Sequence, residues 1–305
     1  MIDFDKLALD FKKLDRKNVQ EIKSDNRRGT CNTPTANYKN EILSHGLDYL
    51  KIGFYGVLES GILEQIKELK DIAQDPKQDD PVHIVINNYK FRVMPHGGGN
   101  YSYIIANDAM NIAFTEQKLD KEGNPAYPNI MLTLGSTILW KESADGAYNL
   151  GRNCVIDLVK SIDQEKVSRA DLCVDITGKK IHKNFTDMNI SKDFVTRARD
   201  KTARLQHDEV TGYSIGSRGS KVCSRIYNKS QEIKIRKNKK AWFYDIWGID
   251  QEKSLPVWRV EFEVHRSFFS KYAYEKDGEK QTIETYHDLK VALFDLWKYL
   301  TVDWF

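Results

Sequence analysis

Three short stretches carry residue types that could work on a phosphate: "RADLCVDI" (169–176), "SRIYNK" (224–229) and "WRVEFEV" (258–264). Side chains alternate along a strand, so the first sends Leu172, Val174 and Ile176 to one face and Arg169, Asp171, Cys173 and Asp175 to the other. In the third, Val260, Phe262 and Val264 oppose Arg259, Glu261 and Glu263, and the second groups Arg225, Tyr227 and Lys229. If the three stripes share one sheet face, they form a site. Clustered carboxylates repel unless a cation lies among them, and hard oxygen ligands suit Mg²⁺ or Mn²⁺, here from Asp171, Asp175, Glu261 and Glu263. Such an ion would polarise a phosphate oxygen. A tyrosine hydroxyl beside that phosphate could attack phosphorus and hold a DNA end as a phosphotyrosine, conserving the bond energy for rejoining.

Each stripe taken alone also fits the solvent face of an antiparallel strand, where Arg/Glu and Lys/Asp pairs are ordinary. The combination is what favours a site. Tyrosine titrates near pH 10 when unperturbed, so attack needs a metal, a cation or a base nearby. Lys229 and Arg225 are the local helpers, and Tyr213 in "GYSIG" is the alternative nucleophile on a neighbouring strand. Other chemistries lack their signatures. There is no GxxxxGK[ST] for a phosphate-cradling ATPase loop, no HExxH, no triad order and no His-x-His pair among the seven histidines. His96 and His265 read as turn and strand polar residues. The four cysteines, Cys31, Cys154, Cys173 and Cys223, are widely spaced, which suggests neither a zinc site nor a disulfide framework.

The chain that must position these residues has 305 of them, 40% hydrophobic and 30% charged, suited to one large or two modest globular domains. No apolar run approaches the roughly 20 residues of a membrane span. The acidic start "MIDFDKLALDF" lacks the marks of a signal peptide, so the expected location is cytoplasmic. The net charge is only +3, yet between Ser217 and Lys240 nine cations face the single acid Glu232. Beside a reactive motif this basic stripe reads as a phosphate-binding surface, carried by Arg218, Lys221, Lys234, Arg236, Lys237, Lys239 and Lys240. Trp242, Phe243, Tyr244 and Trp247 after it would either stack on unpaired bases or form an aromatic core helix.

Residues 1–40 read as an N-terminal arm or linker, with little to bury. "LDYLKIGFYG" is strand-like and "SGILEQIKELKDIAQ" has helical spacing. "PVHIVINNYKFRVMP", "YSYIIAND" and "NIMLTLGSTILW" read as three strands, and "NLGRNCVIDLVKSIDQE" as a helix through Cys154, Leu158 and Ile162. A second round follows: "VSRADLCVDITG", a polar or helical interval to about residue 210, "GYSIGSR", "KVCSRIYNKS", a basic helix or loop, and "VWRVEFEV". The expected class is therefore α+β, with a large, mostly antiparallel sheet, flanking helices and two similar halves. Residues 41–270 would be the working domain. Residues 271–305 would form a C-terminal helix, ending without a cap signal on Trp304 and Phe305, which either packs on something else or leads into a further segment.

"VSRADLCVDI", "GYSIGSRGSKVCSRIYNKSQE" and "VWRVEFEV", in this order and spacing, resemble motifs of the trans-acting rolling-circle replication initiators of plasmids. That family also covers relaxase-like nickases of integrative elements and initiators of some filamentous phages. The central motif is the most specific, and the resemblance runs from about "LDYLKIGFYG" to "VEFEVHR". It implies a tyrosine nickase of the replication-initiator and relaxase type without a His-x-His motif. Such a protein cuts one origin strand by metal-dependent transesterification, stays on the 5′ end through a tyrosine and later rejoins the strand. The family tyrosine falls on Tyr227, and the metal-holding acids fall among Asp171, Asp175, Glu261 and Glu263. Arg225 and Lys229 fall beside the scissile phosphate, Arg218 and Lys221 on the backbone nearby, Arg169 and Arg259 in supporting pairs. Cys173 departs from the small or apolar residue expected there. The implied partners are single-stranded or cruciform origin DNA, a host helicase and polymerase, and a second copy in a homodimer. The alternatives are a relaxase starting conjugative transfer and a catalytically silent origin-binding protein on the same fold.

Overall fold

The computed structural model describes residues 33–34 and 42–305, except 194–195, 238 and 277. Apart from Thr33 and Pro34, the expected arm 1–40 lies outside the described residues. The chain divides into two compact units, one of Asp48–Ala170 with Glu284–Tyr286, the other of Asp171–Ile283 and His287–Phe305 with the described residues before Asp48. The segment 271–305 falls mainly in the unit of Asp171–Ile283 and His287–Phe305.

The described chain opens with β1 (Thr33–Pro34) and the long β2 (Ile42–Leu58); the first unit takes β2 from Asp48 and adds helix α1 (Ser60–Gln74) and the strands β3 (His83–Ile86), β4 (Tyr89–Val93), β5 (Tyr103–Ala106), β6 (Met110–Phe114) and β7 (Ile130–Leu134). Helices α2 (Ser136–Lys141) and α3 (Ser143–Ile156) precede β8 (Val159–Thr177). The strand order is β3-β4-β5-β6-β7-β2-β8, with β3 to β7 an antiparallel meander whose last strand pairs antiparallel with β2. The single strand expected over "PVHIVINNYKFRVMP" is a hairpin. Asn87 and Asn88 take φ of 48° and 62°, the left-handed pair that a two-residue turn needs. The helix expected through Ile162 stops at Ile156, because from Val159 the chain enters the sheet beside β2 and strand pairing overrides the fourfold spacing.

The second unit begins with the end of β8 and helices α4 (Lys179–Asp187) and α5 (Ile190–Asp193). Next come β9 (Lys201–Gln206), β10 (Glu209–Ile215), β11 (Val222–Asn228), α6 (Lys229–Ile235), α7 (Phe243–Trp247) and β12 (Val257–His265). Helix α8 (Arg266–Phe269), the hairpin β13 (Ala273–Lys276) and β14 (Glu279–Thr282), and helix α9 (Tyr286–Lys298) complete it. The order is β8-β12-β11-β10-β9. Each unit therefore has α+β character and the same connectivity: a strand, helix, then a meander whose last strand returns beside the first.

In the second unit the sheet's apolar face carries Tyr213, Ile226, Val260, Phe262 and Val264, all buried. The Phe262 ring meets Trp297, Trp304 and Phe305 at centroid distances of 5.5, 6.0 and 5.2 Å. The C-terminal helix is thus amphipathic because it covers this sheet. Burying such aromatics removes large apolar areas from water, at about 25 cal/mol per Å². Among the described residues no helix is long and apolar enough to cross a membrane.

Candidate active site

The opposite face of the same sheet is polar, and strand register decides which side chains meet on it. β11 and β12 pair Arg225 with Glu261, Tyr227 with Arg259 and Cys223 with Glu263. β10 sets Gly212 against Tyr227 and Ser214 against Arg225. Directly opposed residues point the same way, so arginines, carboxylates and tyrosine share one surface. Gly212 is required by this packing. A Cβ there would lie 2.6 Å from the Ile226 carbonyl oxygen and 2.8 Å from the Tyr227 Cβ.

Arg225 is the hub. Its Nη2 pairs with Glu261 Oε1 and lies 3.4 Å from Glu263 Oε2 and 3.5 Å from Asp171 Oδ2. Burial opposes its charge, but Glu261, Asp171 and Glu263 outweigh that cost and hold the guanidinium's pKa above its ordinary value. The second oxygen of Glu261 accepts the Tyr227 hydroxyl at 2.9 Å. Lys229 Nζ approaches that hydroxyl at 3.4 Å and lies over the Tyr227 and Phe243 rings, 5.4 and 5.1 Å from their centroids. Tyr227 is half-buried, and its hydroxyl sits between a carboxylate and an ammonium.

Lys229 does not reach this place as a strand residue. The strand ends at Asn228, whose side chain accepts from the Gln231 amide at 3.0 Å and so caps α6, and Lys229 opens that helix. One turn on, Glu232 meets Lys229 Nζ at 2.6 Å. Burial alone would raise the Glu232 carboxyl, but Lys229, and behind it Arg236 and Lys240, keep its pKa below the usual value. Lys229 is almost fully buried, and Glu232 is the counter-charge that lets an ammonium stay there.

Asp175 stands apart from the other acids. Its carboxylate takes a two-pronged contact from Arg259, Nε at 2.6 Å and Nη2 at 2.7 Å, with both side chains fully buried. The Ser44 hydroxyl and the Trp247 indole also donate to it, each at 2.9 Å. Asp171 and Asp175 are four positions apart on one strand, about 13 Å at the pitch of a strand. They cannot share a small ion whose oxygen ligands lie about 2 Å from it. The four-acid expectation therefore reduces to Asp171, Glu261 and Glu263, because strand pitch carries Asp175 out of reach. These three donors have the right chemistry for a hard divalent ion, and the cation they surround is the Arg225 guanidinium. Among the described residues no group of three or more His, Cys, Asp or Glu side chains stands in a ready-made metal arrangement.

Tyr213 projects to the apolar face opposite Tyr227. Its hydroxyl shares its hydrogen between the carbonyls of Phe185 at 2.7 Å and Met188 at 3.0 Å. Burial, with Asp193 and Asp187 behind it, raises the Tyr213 phenol. It thus lies on the face away from Tyr227, with its hydroxyl already engaged. Arg169 belongs to the first unit, its guanidinium 4.6 Å from the Tyr49 ring centroid. Arg218, Lys221, Lys234, Arg236, Lys237 and Lys239 are exposed and Lys240 is half-buried. Of the aromatic group, Phe243, Tyr244 and Trp247 are buried, and Trp242 stacks on Phe243 at 4.1 Å, so this is a core helix. The sequence reading did not single out Gly212 or Ser44, and it took His265, whose Nε2 lies 2.8 Å from Glu263 Oε1, for an ordinary strand residue. Only Gly212 left a signal, a glycine inside an otherwise regular strand pattern.

No protein-family model matches the chain, and no curated protein matches it. Among solved structures, the rolling circle replication initiator protein from Geobacillus stearothermophilus is similar to it, at 13% identity over 83% of this chain and 96% of that one, with a TM-score of 0.35.

Proposed function

We propose that this chain is a DNA strand transferase that initiates rolling-circle replication, with Tyr227 as nucleophile. The observation that carries the reading is the Tyr227 hydroxyl, which donates to Glu261 at 2.9 Å beside the buried Lys229 ammonium. The resemblance of the three motifs supplies the substrate class. In the forward step the Tyr227 oxygen bonds to phosphorus and its proton passes to Glu261 Oε2. The bond from phosphorus to the 3′ oxygen breaks, and that oxygen leaves with the electron pair and takes up a proton to become a 3′ hydroxyl. Lys229 stabilises the developing phenolate, and the Arg225 fork is suited to the phosphate oxygens. Asp171, Glu261 and Glu263 would hold Mg²⁺ or Mn²⁺, which when bound would polarise the phosphate and offset its charge. Rejoining is the reverse step, and no external energy source is needed. A host helicase and polymerase would act on the opened origin.

The strand must be unpaired to reach a sheet-face site, so single-stranded or cruciform origin DNA is the expected substrate. The test is 3′-labelled single-stranded origin DNA incubated with the protein and Mn²⁺, then run on a denaturing gel beside Tyr227→Phe. The expected result is a covalent protein–DNA band absent from the variant. A band that persists in Tyr227→Phe would overturn the nucleophile, and retained binding with no band in either would favour a silent origin-binding protein.

A further inference from the structure

At the far end of β11 from Tyr227, the second unit has a groove of about 840 Å³ that the nicking chemistry does not use. One part of its lining is cationic: Arg197, Arg199, Lys221 and Lys271, all exposed, against the single acid Asp200. The other part is aromatic. Phe268 stacks on Tyr272 with centroids 5.3 Å apart, and Tyr299 closes on both at 5.6 and 5.4 Å. All three residues are half-buried, so part of each side chain reaches the surface. The Arg197 guanidinium donates to the Tyr299 hydroxyl at 3.4 Å, which ties the cationic side to the aromatic one.

We infer that this groove binds an unpaired stretch of nucleic-acid strand, its bases against Phe268, Tyr272 and Tyr299 and its phosphates at the arginines and lysines. Aromatic faces stack any base, and flanking cations neutralise the backbone, the usual pairing for single strands. A duplex hides its bases and would meet only the cations. Val222, on the groove wall, is five residues from Tyr227 along β11, roughly 17 Å at the pitch of a strand. An odd number of residues apart, the two side chains lie on opposite faces of the sheet, so the groove is a place separate from Tyr227. The inference rests on the reading that the chain handles DNA, but its test does not depend on nicking.

The test measures fluorescence anisotropy of a short labelled oligothymidylate, and of the same strand in duplex form, with the full chain and with Tyr272→Leu. Losing one stacking face should weaken single-strand binding about tenfold and leave duplex binding within about twofold. If Tyr272→Leu melts early, the exposed pair Arg199→Gln and Lys271→Gln replaces it, with an expected loss of about fivefold or more on the single strand. No loss, or equal loss on single strand and duplex, would overturn the inference. Thymidine monophosphate competing as well as the oligonucleotide would also overturn it, since the groove would then be a free-nucleotide site. Single-strand preference without covalent adduct would keep the groove and sink the nickase reading, whereas an adduct without the preference would sink the groove alone.

Discussion

The Tyr227 hydroxyl donates to Glu261 Oε2 at 2.9 Å, while the other oxygen of the same carboxylate pairs with Arg225. One side chain thus links the proposed nucleophile to the cation that would meet the phosphate. Glu261→Gln keeps the size and a hydrogen-bonding oxygen but is a far poorer base. Single-turnover nicking should fall by about a hundredfold to ten-thousandfold, with single-strand affinity little changed. A loss in affinity that matched the loss in rate would instead make Glu261 a binding residue.

Arg259 and Asp175 stabilise the unit from inside the same polar face. Arg259→Ala leaves a buried carboxylate without its main partner and should cost about 3–5 kcal/mol, read by denaturant unfolding. Replacing both by a methionine and a leucine of similar bulk should recover most of that loss. A single variant as stable as the parent would mean that Ser44 and Trp247 alone satisfy Asp175.

Gly212 leaves room for Tyr227. Gly212→Ala places a methyl group against the Ile226 carbonyl and the Tyr227 side chain, so strand β10 or the tyrosine must shift. Overpacking of this kind costs about 1–3 kcal/mol. Adduct formation should fall further than stability does, because the hydroxyl leaves hydrogen-bond reach of Glu261. Normal adduct yield with normal unfolding would show that the strands relax freely around the new group.

Period-two alternation placed Arg225, Tyr227, Asp171, Glu261 and Glu263 on one face because the strands are regular and their cross-strand pairing preserves the alternation. It also placed Asp175 on that face correctly, but alternation says nothing about distance along a strand. Pitch separates Asp175 from Asp171, and Arg259 takes it as a partner. Lys229 came to the right neighbourhood by a different route, through a helix start that Asn228 dictates. Strands β6 and β9 and the β13–β14 hairpin went unread, since short segments owe their conformation to neighbours distant in sequence. The aromatic run 242–247 had two readings, and the burial of Phe243 over Arg259 and Lys229 decides it.

Glu232 makes the last prediction, through acid. Its folded-state pKa lies below the ordinary value, so its stabilising contribution is fully present above the unfolded carboxyl range, about pH 4.3, and is lost as pH falls through the lower folded value. Glu232→Gln removes that charge and leaves Lys229 buried beside a neutral amide. The variant should melt below the parent at about pH 7, and the gap should narrow as pH falls through the parent's lowered folded value, where its carboxyl is protonated too. Thermal melts across that range check the sign. A gap that stays constant or widens in acid would mean that shape, not charge, holds Lys229 against Tyr227.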